Sequence, residues 1–177
     1  MYRNYEEAKK AFSVASLRDS SNLQIFVDLA ALCAQTRDFA GYRKCFQKLI
    51  SQLSGRGNYW VGLIVGYYRE GNFAKCLEAI DVYRGTLDPV ASIIRQELLF
   101  LQIDCYIRLN ESVKAIVTLE KSMSDVLNEL AAKEKLAILL GKQGDFSDGS
   151  TTRNGVQESR SLWLDLISRN RSSDHRI

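Results

Sequence analysis

Residues 57–84 read GNYWVGLIVGYYREGNFAKCLEAIDVYR, two helix-length segments with a break between them. Trp60, Leu63 and Tyr67 recur at i, i+3 and i+7, which puts them on one face of a first helix. Gly71-Asn72 interrupts the pattern, because glycine takes the left-handed conformation that ends a helix. From Phe73 a second stripe runs through Cys76, Ile80 and Tyr83. Two short antiparallel helices with facing stripes are the local unit. Trp60 and Tyr67 are expected between adjacent helix pairs, so that Trp60→Ala costs roughly 3–5 kcal/mol.

The same pattern recurs at a constant shift: Tyr5, Phe39 and Phe73 align, followed by Ala8, Tyr42 and Cys76, then Phe12, Phe46 and Ile80, then Ala15, Leu49 and Tyr83. Phe26 falls on Trp60 and Asp38 on Asn72. A fixed period of about 34 residues marks tetratricopeptide-type helix–turn–helix repeats, none of which buries its apolar face alone. The fold class is therefore all-α, with tetratricopeptide-type repeats stacked as a right-handed α-solenoid.

Working outward, residues 23–50 repeat the unit, with Phe26 and Leu29 on the first helix, Arg37-Asp38 at the turn, and Tyr42, Phe46 and Leu49 on the second. Residues 5–16 read as a second helix without its mate, with the expectation that Met1 is not the natural beginning of the full-length protein. After residue 84 the strict period lapses. Asp88-Pro89 starts a longer first helix carrying Leu99, Ile103 and Tyr106, and the next turn, Asn110-Glu111, falls later than the period would place it. Ala115 and Leu119 continue that pair, and a further first helix over about residues 125–141 carries Leu136 and Leu140 to a turn at Gly144-Asp145-Phe146. The expected organisation is a repeat array over 1–141 and a polar loop insertion over 142–155, whose DGSTTRNG run (148–155) should be mobile. A terminal helix over 156–170 follows, with Val156, Trp163 and Leu166 on its stripe, and then a disordered tail over 171–177.

The chain has 177 residues, 46% of them apolar and 25% charged, with one proline and eleven glycines, the balance of an ordinary globular protein. A net charge of +3 is too small to demand nucleic acid, and no DNA partner is expected. Basic residues outnumber acidic ones in 1–60 and the reverse holds in 61–150. A contact with an RNA-rich surface through Arg3, Lys9, Lys10, Arg43, Lys44 and Lys48 fits that asymmetry, as do solvated helix faces. Cys33, Cys45, Cys76 and Cys105 lack CxxC spacing and sit on or beside apolar stripes, where thiols act as small hydrophobes. With neither a secretory leader nor a long apolar run, the chain reads as reduced, cytoplasmic and without a membrane partner.

The sequence offers little for catalysis. His175 is the only histidine and lies in the tail, which removes Ser-His-Asp and Cys-His arrangements and multi-histidine metal sites. No GxxxxGK[ST] or GxGxxG cradles a phosphate. Glu6-Glu7 and Glu129 with Glu134 lie among lysines, where helix-surface pairing accounts for them. No catalytic, cofactor-binding or metal-binding residues are expected. Functional weight moves to the concave face, where exposed first-helix positions carry Val27, Asp28 and Ala31, then Val61, Gly62 and Val65, then Phe100, Leu101 and Asp104. Such an apolar wall accepts an amphipathic helix or peptide, or is covered by neighbouring parts of a longer chain. It lacks the Lys, Arg and Asn with which co-chaperone repeats grip a terminal carboxylate.

The stretches NLQIFVDLAALCAQTRDFAGYRKCFQKLI (22–50) and YWVGLIVGYYREGNFAKCLEAIDVYRGTL (59–87) resemble the repeat-rich auxiliary subunit of the N-terminal acetyltransferase A complex. The likeness rests on Asn22-Leu23-Gln24-Ile25, on Arg37-Asp38 with Gly41-Tyr42-Arg43, and on Trp60 and Gly62 before Tyr67, with Tyr5, Glu7 and Ala8 fitting the preceding helix. It is weaker over 88–141 and reduced beyond 142 to Trp163, Leu166, Arg169 and Asn170. What the resemblance implies is a non-catalytic scaffold that wraps a catalytic acetyltransferase subunit and brings it to the ribosome and the nascent chain. The chain itself has no strand, glycine-rich turn and helix to hold the pyrophosphate of acetyl-CoA. Acetyl transfer would therefore take place on a partner.

Overall fold

Asparagine or aspartate opens most of the helices. In a computed structural model that describes residues 4–85, 92–147 and 152–173, the side chains of Asn4, Asn22, Asp38 and Asn128 accept hydrogen bonds from the backbone N–H groups of Glu7, Gln24, Gly41 and Ala131. Each satisfies a donor that the first helical turn leaves without a partner. The helices are α1 (Tyr5–Arg18), α2 (Leu23–Gln35), α3 (Phe39–Gln52), α4 (Gly57–Arg69), α5 (Phe73–Gly85), α6 (Ser92–Arg108), α7 (Ser112–Lys121), α8 (Glu129–Gln143) and α9 (Gly155–Ser173). A 3-10 turn at Met123–Asp125 precedes α8. The expected helix start at Asp88-Pro89, together with Arg3, residues 148–151 and His175, lies outside the described residues.

The period is written in the backbone. Arg37, Gly71, Asn110 and Gly144 have positive φ; the first and last steps between them equal the sequence period, and the middle one is longer. At the first three, the N–H of Asp38, Asn72 and Glu111 donates to the carbonyl of Cys33, Tyr67 and Tyr106 at 2.8, 3.0 and 2.8 Å. This bond closes a helix end and turns the chain back on itself. The fold is all-α and of tetratricopeptide type.

The chain forms two compact units, residues 1–90 and 91–177. In the first, α1 packs on α2, α2 on α3, α3 on α4 and α4 on α5. Its buried side chains include Leu29, Leu49, Ile64, Cys76, Ile80 and Tyr83. In the second, α6 to α9 pack in sequence order around Leu99, Ile103, Ala115, Leu119, Leu136, Leu140 and Phe146.

Three sequence expectations change. On α4 the buried residues are Tyr59, Gly62, Leu63, Ile64 and Gly66, while Trp60 and Tyr67 are half-buried. Gly62 and Gly66 let α3 approach closely, so the buried line follows the small residues. Trp60 remains near the rim, stacked 6.4 Å from Tyr83 with Nε1 donating to the Ser54 carbonyl. The 142–155 segment holds an antiparallel hairpin, β1 (Asp145–Ser147) paired with β2 (Thr152–Asn154). On α9 the inner face is Ser159, Leu162 and Leu166, and Val156 and Trp163 are exposed. The helix begins one position early, where the Gly155 N–H bonds the Gly144 carbonyl at 2.9 Å, and that anchor sets the phase.

Candidate partner-binding surfaces

In the first unit, α2 and α4 carry the predicted wall positions. Val27, Asp28 and Val61 are half-buried and Ala31 and Val65 are exposed. Asp28 accepts a hydrogen bond from Gln24 Nε2 at 2.9 Å on its own helix. Gly62 does not belong to an open wall. It is buried, and a β-carbon built there would fall into the Phe46 ring of α3.

The six-cation set is only partly available to a partner. Lys9 bonds Glu6 at 3.2 Å, Asp38 at 3.6 Å and the Thr36 hydroxyl at 3.3 Å, and Glu6 holds its pKa above the ordinary value. Arg43 forks onto the Glu70 carboxylate at 2.5 and 3.2 Å, bonds Gln47 at 2.9 Å and lies over the Tyr67 ring. These two side chains tie α1 to the α2–α3 turn and α3 to the end of α4, so they are committed inside the protein. Lys10 and Lys44 are exposed and Lys48 is half-buried.

In the second unit, Phe100, Leu101 and Asp104 are half-buried on α6. Asp104 pairs with Arg108 at 3.4 Å, and Lys135 Nζ sits 5.2 Å above the Phe100 ring. A cleft of about 410 Å³ is lined by Ile107, Ser112, Ala131, Glu134, Lys135, Ile138, Leu139, Lys142 and Gln143. The wall positions named from sequence omit the contribution of α8. A signal for it exists: Phe26, Trp60 and Leu99 each stand the same step before a left-handed turn residue, at 37, 71 and 110. That step back from Gly144 reaches Lys133, and the positions one, two and five places later are Glu134, Lys135 and Ile138, all on the cleft.

The hairpin insertion is held by charge. Arg153 bonds Glu120 of α7 at 2.7 and 2.9 Å, pairs with Glu158 of α9 and lies over the Phe146 ring. Lys133 bonds Glu129 at 2.7 Å and Asp165 at 3.5 Å, joining α8 to α9. All four cysteines are buried thiols. Burial pushes the Cys45 thiol up to about 12. Among the described residues no cluster of three or more His, Cys, Asp or Glu is placed to hold a metal ion, and no helix is long and apolar enough to cross a membrane.

No protein-family model matches the chain. It is 29% identical over 153 residues to the N-terminal acetyltransferase A complex auxiliary subunit NAA15 of Arabidopsis thaliana, covering 84% of this chain and 17% of that protein. It is 28% identical over 186 aligned positions to mouse N-alpha-acetyltransferase 16, NatA auxiliary subunit, covering 99% of this chain and 21% of that one. Among solved structures, that of Naa15/Naa10 bound to HypK-THB superposes with a TM-score of 0.80 at 26% identity, over 94% of this chain and 24% of the matched chain. MamA, at a TM-score of 0.68 and 12% identity over 97% of this chain and 92% of that one, shares the fold alone. The chain spans about a fifth of the length of the curated relatives it matches. Over most of its own length it is homologous to the auxiliary subunits of the N-terminal acetyltransferase A complex.

Proposed function

We propose that the chain serves as a non-catalytic scaffold segment of an auxiliary subunit of the N-terminal acetyltransferase A complex, supporting a catalytic acetyltransferase subunit in the cytoplasm. The observation that carries this reading is the superposition on an Naa15 chain solved together with Naa10, at a TM-score of 0.80 and 26% identity. A single histidine and the lack of a glycine-rich phosphate loop in the sequence support the non-catalytic part. Association with the ribosome and nascent chain runs through the exposed cations Lys10 of α1 and Lys44 of α3, with Lys48 one turn along α3 from Lys44.

The test is affinity purification of the tagged full-length protein from its own cells, with mass spectrometry and an N-terminal acetylation assay on the eluate. A small acetyltransferase with activity is the expected recovery, and ribosomal proteins should accompany it at low salt. Recovery of the protein with no acetyltransferase and no activity overturns the reading.

A second reading, a repeat adaptor that takes an amphipathic helix or peptide, is favoured by the apolar floor of the second-unit cleft at Ile107, Ile138 and Leu139. Val27, Asp28, Ala31, Val61 and Val65 would offer a corresponding face on the first unit, and Phe100, Leu101 and Asp104 on the second. Ile138→Asp, at a half-exposed position, then abolishes capture of the partner while helicity is unchanged; capture that survives the charge excludes the cleft as the docking site.

A further inference from the structure

In the first unit two thiols from different helices line one cleft. Cys33 on α2 and Cys45 on α3 belong to one buried cluster with Leu29 and Ala30 and are 3% and 5% exposed. Gly41 on α3 makes the approach possible, since a β-carbon there would stand 2.9 Å from the Cys33 sulfur. Both cysteines line a cleft of about 240 Å³, together with the polar Lys9, Ser13, Asp38 and Lys44 and the apolar Phe26 and Leu29. The pair thus combines two buried sulfurs of one cluster with a shared opening wide enough for a small polar molecule. Cys76 and Cys105 are fully buried, and neither is on this cleft.

We propose that Cys33 and Cys45 are a redox-active dithiol, converted by hydrogen peroxide into an intramolecular disulfide that staples α2 to α3. In the first step Cys33 gives up its proton and its sulfur attacks a peroxide oxygen; the O–O bond breaks, leaving a Cys33 sulfenic acid and one water. In the second, the Cys45 sulfur attacks the sulfenic sulfur, the S–O bond breaks, and the proton of Cys45 leaves with the hydroxyl as a second water. Two thiols and one peroxide become one disulfide and two waters, and an external dithiol returns the pair to the reduced state.

The surroundings set which sulfur acts first and how fast. Burial raises both thiols above the ordinary value. At Cys33 the Asp38 carboxylate, 4.0 Å from the sulfur, adds to the rise and the Lys9 ammonium opposes it. Cys45 is pushed up to about 12, and of the two only Cys33 has the Lys9 ammonium among its charged neighbours, which makes it the attacking sulfur. The small thiolate fraction makes the reaction slow compared with that of a dedicated peroxidase. The adjacency of the second sulfur directs its product to a disulfide and away from further oxidation.

The test is exposure of the folded chain to hydrogen peroxide, followed by alkylation after unfolding and peptide mapping. The expected product has lost two hydrogens, joins the Cys33 and Cys45 peptides, and reverts with dithiothreitol, while Cys76 and Cys105 are recovered alkylated. Cys45→Ser should leave a Cys33 sulfenic acid that dimedone traps, with no joined peptide. Absence of the joined peptide in the wild-type chain, at an exposure that already oxidises Met123, overturns the proposal. So does cross-linking spread over all four cysteines. The wild-type map decides the matter even if the variant fails to fold.

Discussion

Gly62 of α4 and Phe46 of α3 occupy one space: the phenyl ring stands where a side chain on residue 62 would begin. Gly62→Ala is therefore expected to destabilise the first unit by about 1–3 kcal/mol, as overpacking does in a dense core. Phe46→Leu in the same chain should recover part of the loss. Urea denaturation of the single and double variants measures both, and a neutral Gly62→Ala would show that α3 and α4 separate at no cost.

Ile64 is fully buried and Trp60 only partly so. Ile64→Ala should cost roughly 2–5 kcal/mol, the range for a core aliphatic. Trp60→Ala should cost less, since the indole is only half-buried and its Nε1 bond goes to the nearby Ser54 carbonyl. If thermal melts rank the tryptophan above the isoleucine, the buried line on α4 lies elsewhere.

Arg37 occupies the left-handed region at φ 56°, where a β-carbon is strained. Arg37→Gly should raise stability by about 0.5–1 kcal/mol, the relief slightly exceeding the extra freedom glycine brings to the unfolded chain. Gly144 has φ 69° and ψ −139°, a region essentially closed to side chains. Gly144→Ala should lower stability, with the hairpin between α8 and α9 disturbed first. Hydrogen exchange at the Gly155 amide, bonded to the Gly144 carbonyl, reports that site directly.

Lys133 holds the Glu129 carboxyl below the usual glutamate value of 4.5, so the folded state favours the ionised form. A lowered folded pKa contributes stability that is present above the ordinary value and lost as pH falls through the folded one. The second unit should accordingly weaken below about pH 4.5, and Glu129→Gln should remove part of that dependence. Denaturant midpoints compared at pH 7 and pH 3 test this, and an unchanged pH profile in the variant would exclude the pair as a contributor.

The repeat architecture was legible because two signals agreed. The periodic self-match and the turn residues at 37, 71 and 110 fall where the backbone turns left-handed. Side-chain periodicity sees apolar bulk, however, and close helix contact is often made by its absence. Gly62 and Gly66 carry the α3–α4 approach, and the pattern of Trp60 and Tyr67 pointed one residue away from it. The hairpin at 145–154 was hidden for a different reason: three-residue strands have no period to detect, and their stability comes from Arg153 reaching Glu120, 33 positions earlier. The cation set was overcounted because spacing along a helix does not reveal the acid facing it from the next one. Asp38 and Glu70 take Lys9 and Arg43 in that way.

The bonds from Asp38, Asn72 and Glu111 back to Cys33, Tyr67 and Tyr106 close each turn with atoms close together in the chain. Such a joint keeps its own shape whatever length of chain lies between it and the next, which is how the longer interval from Gly71 to Asn110 follows the shorter one from Arg37 to Gly71 without losing the helical phase of either hairpin. These joints are natural cutting points. A graft that exchanges one hairpin for another at matched left-handed residues preserves both bends, so a binding face can be re-tailored one hairpin at a time.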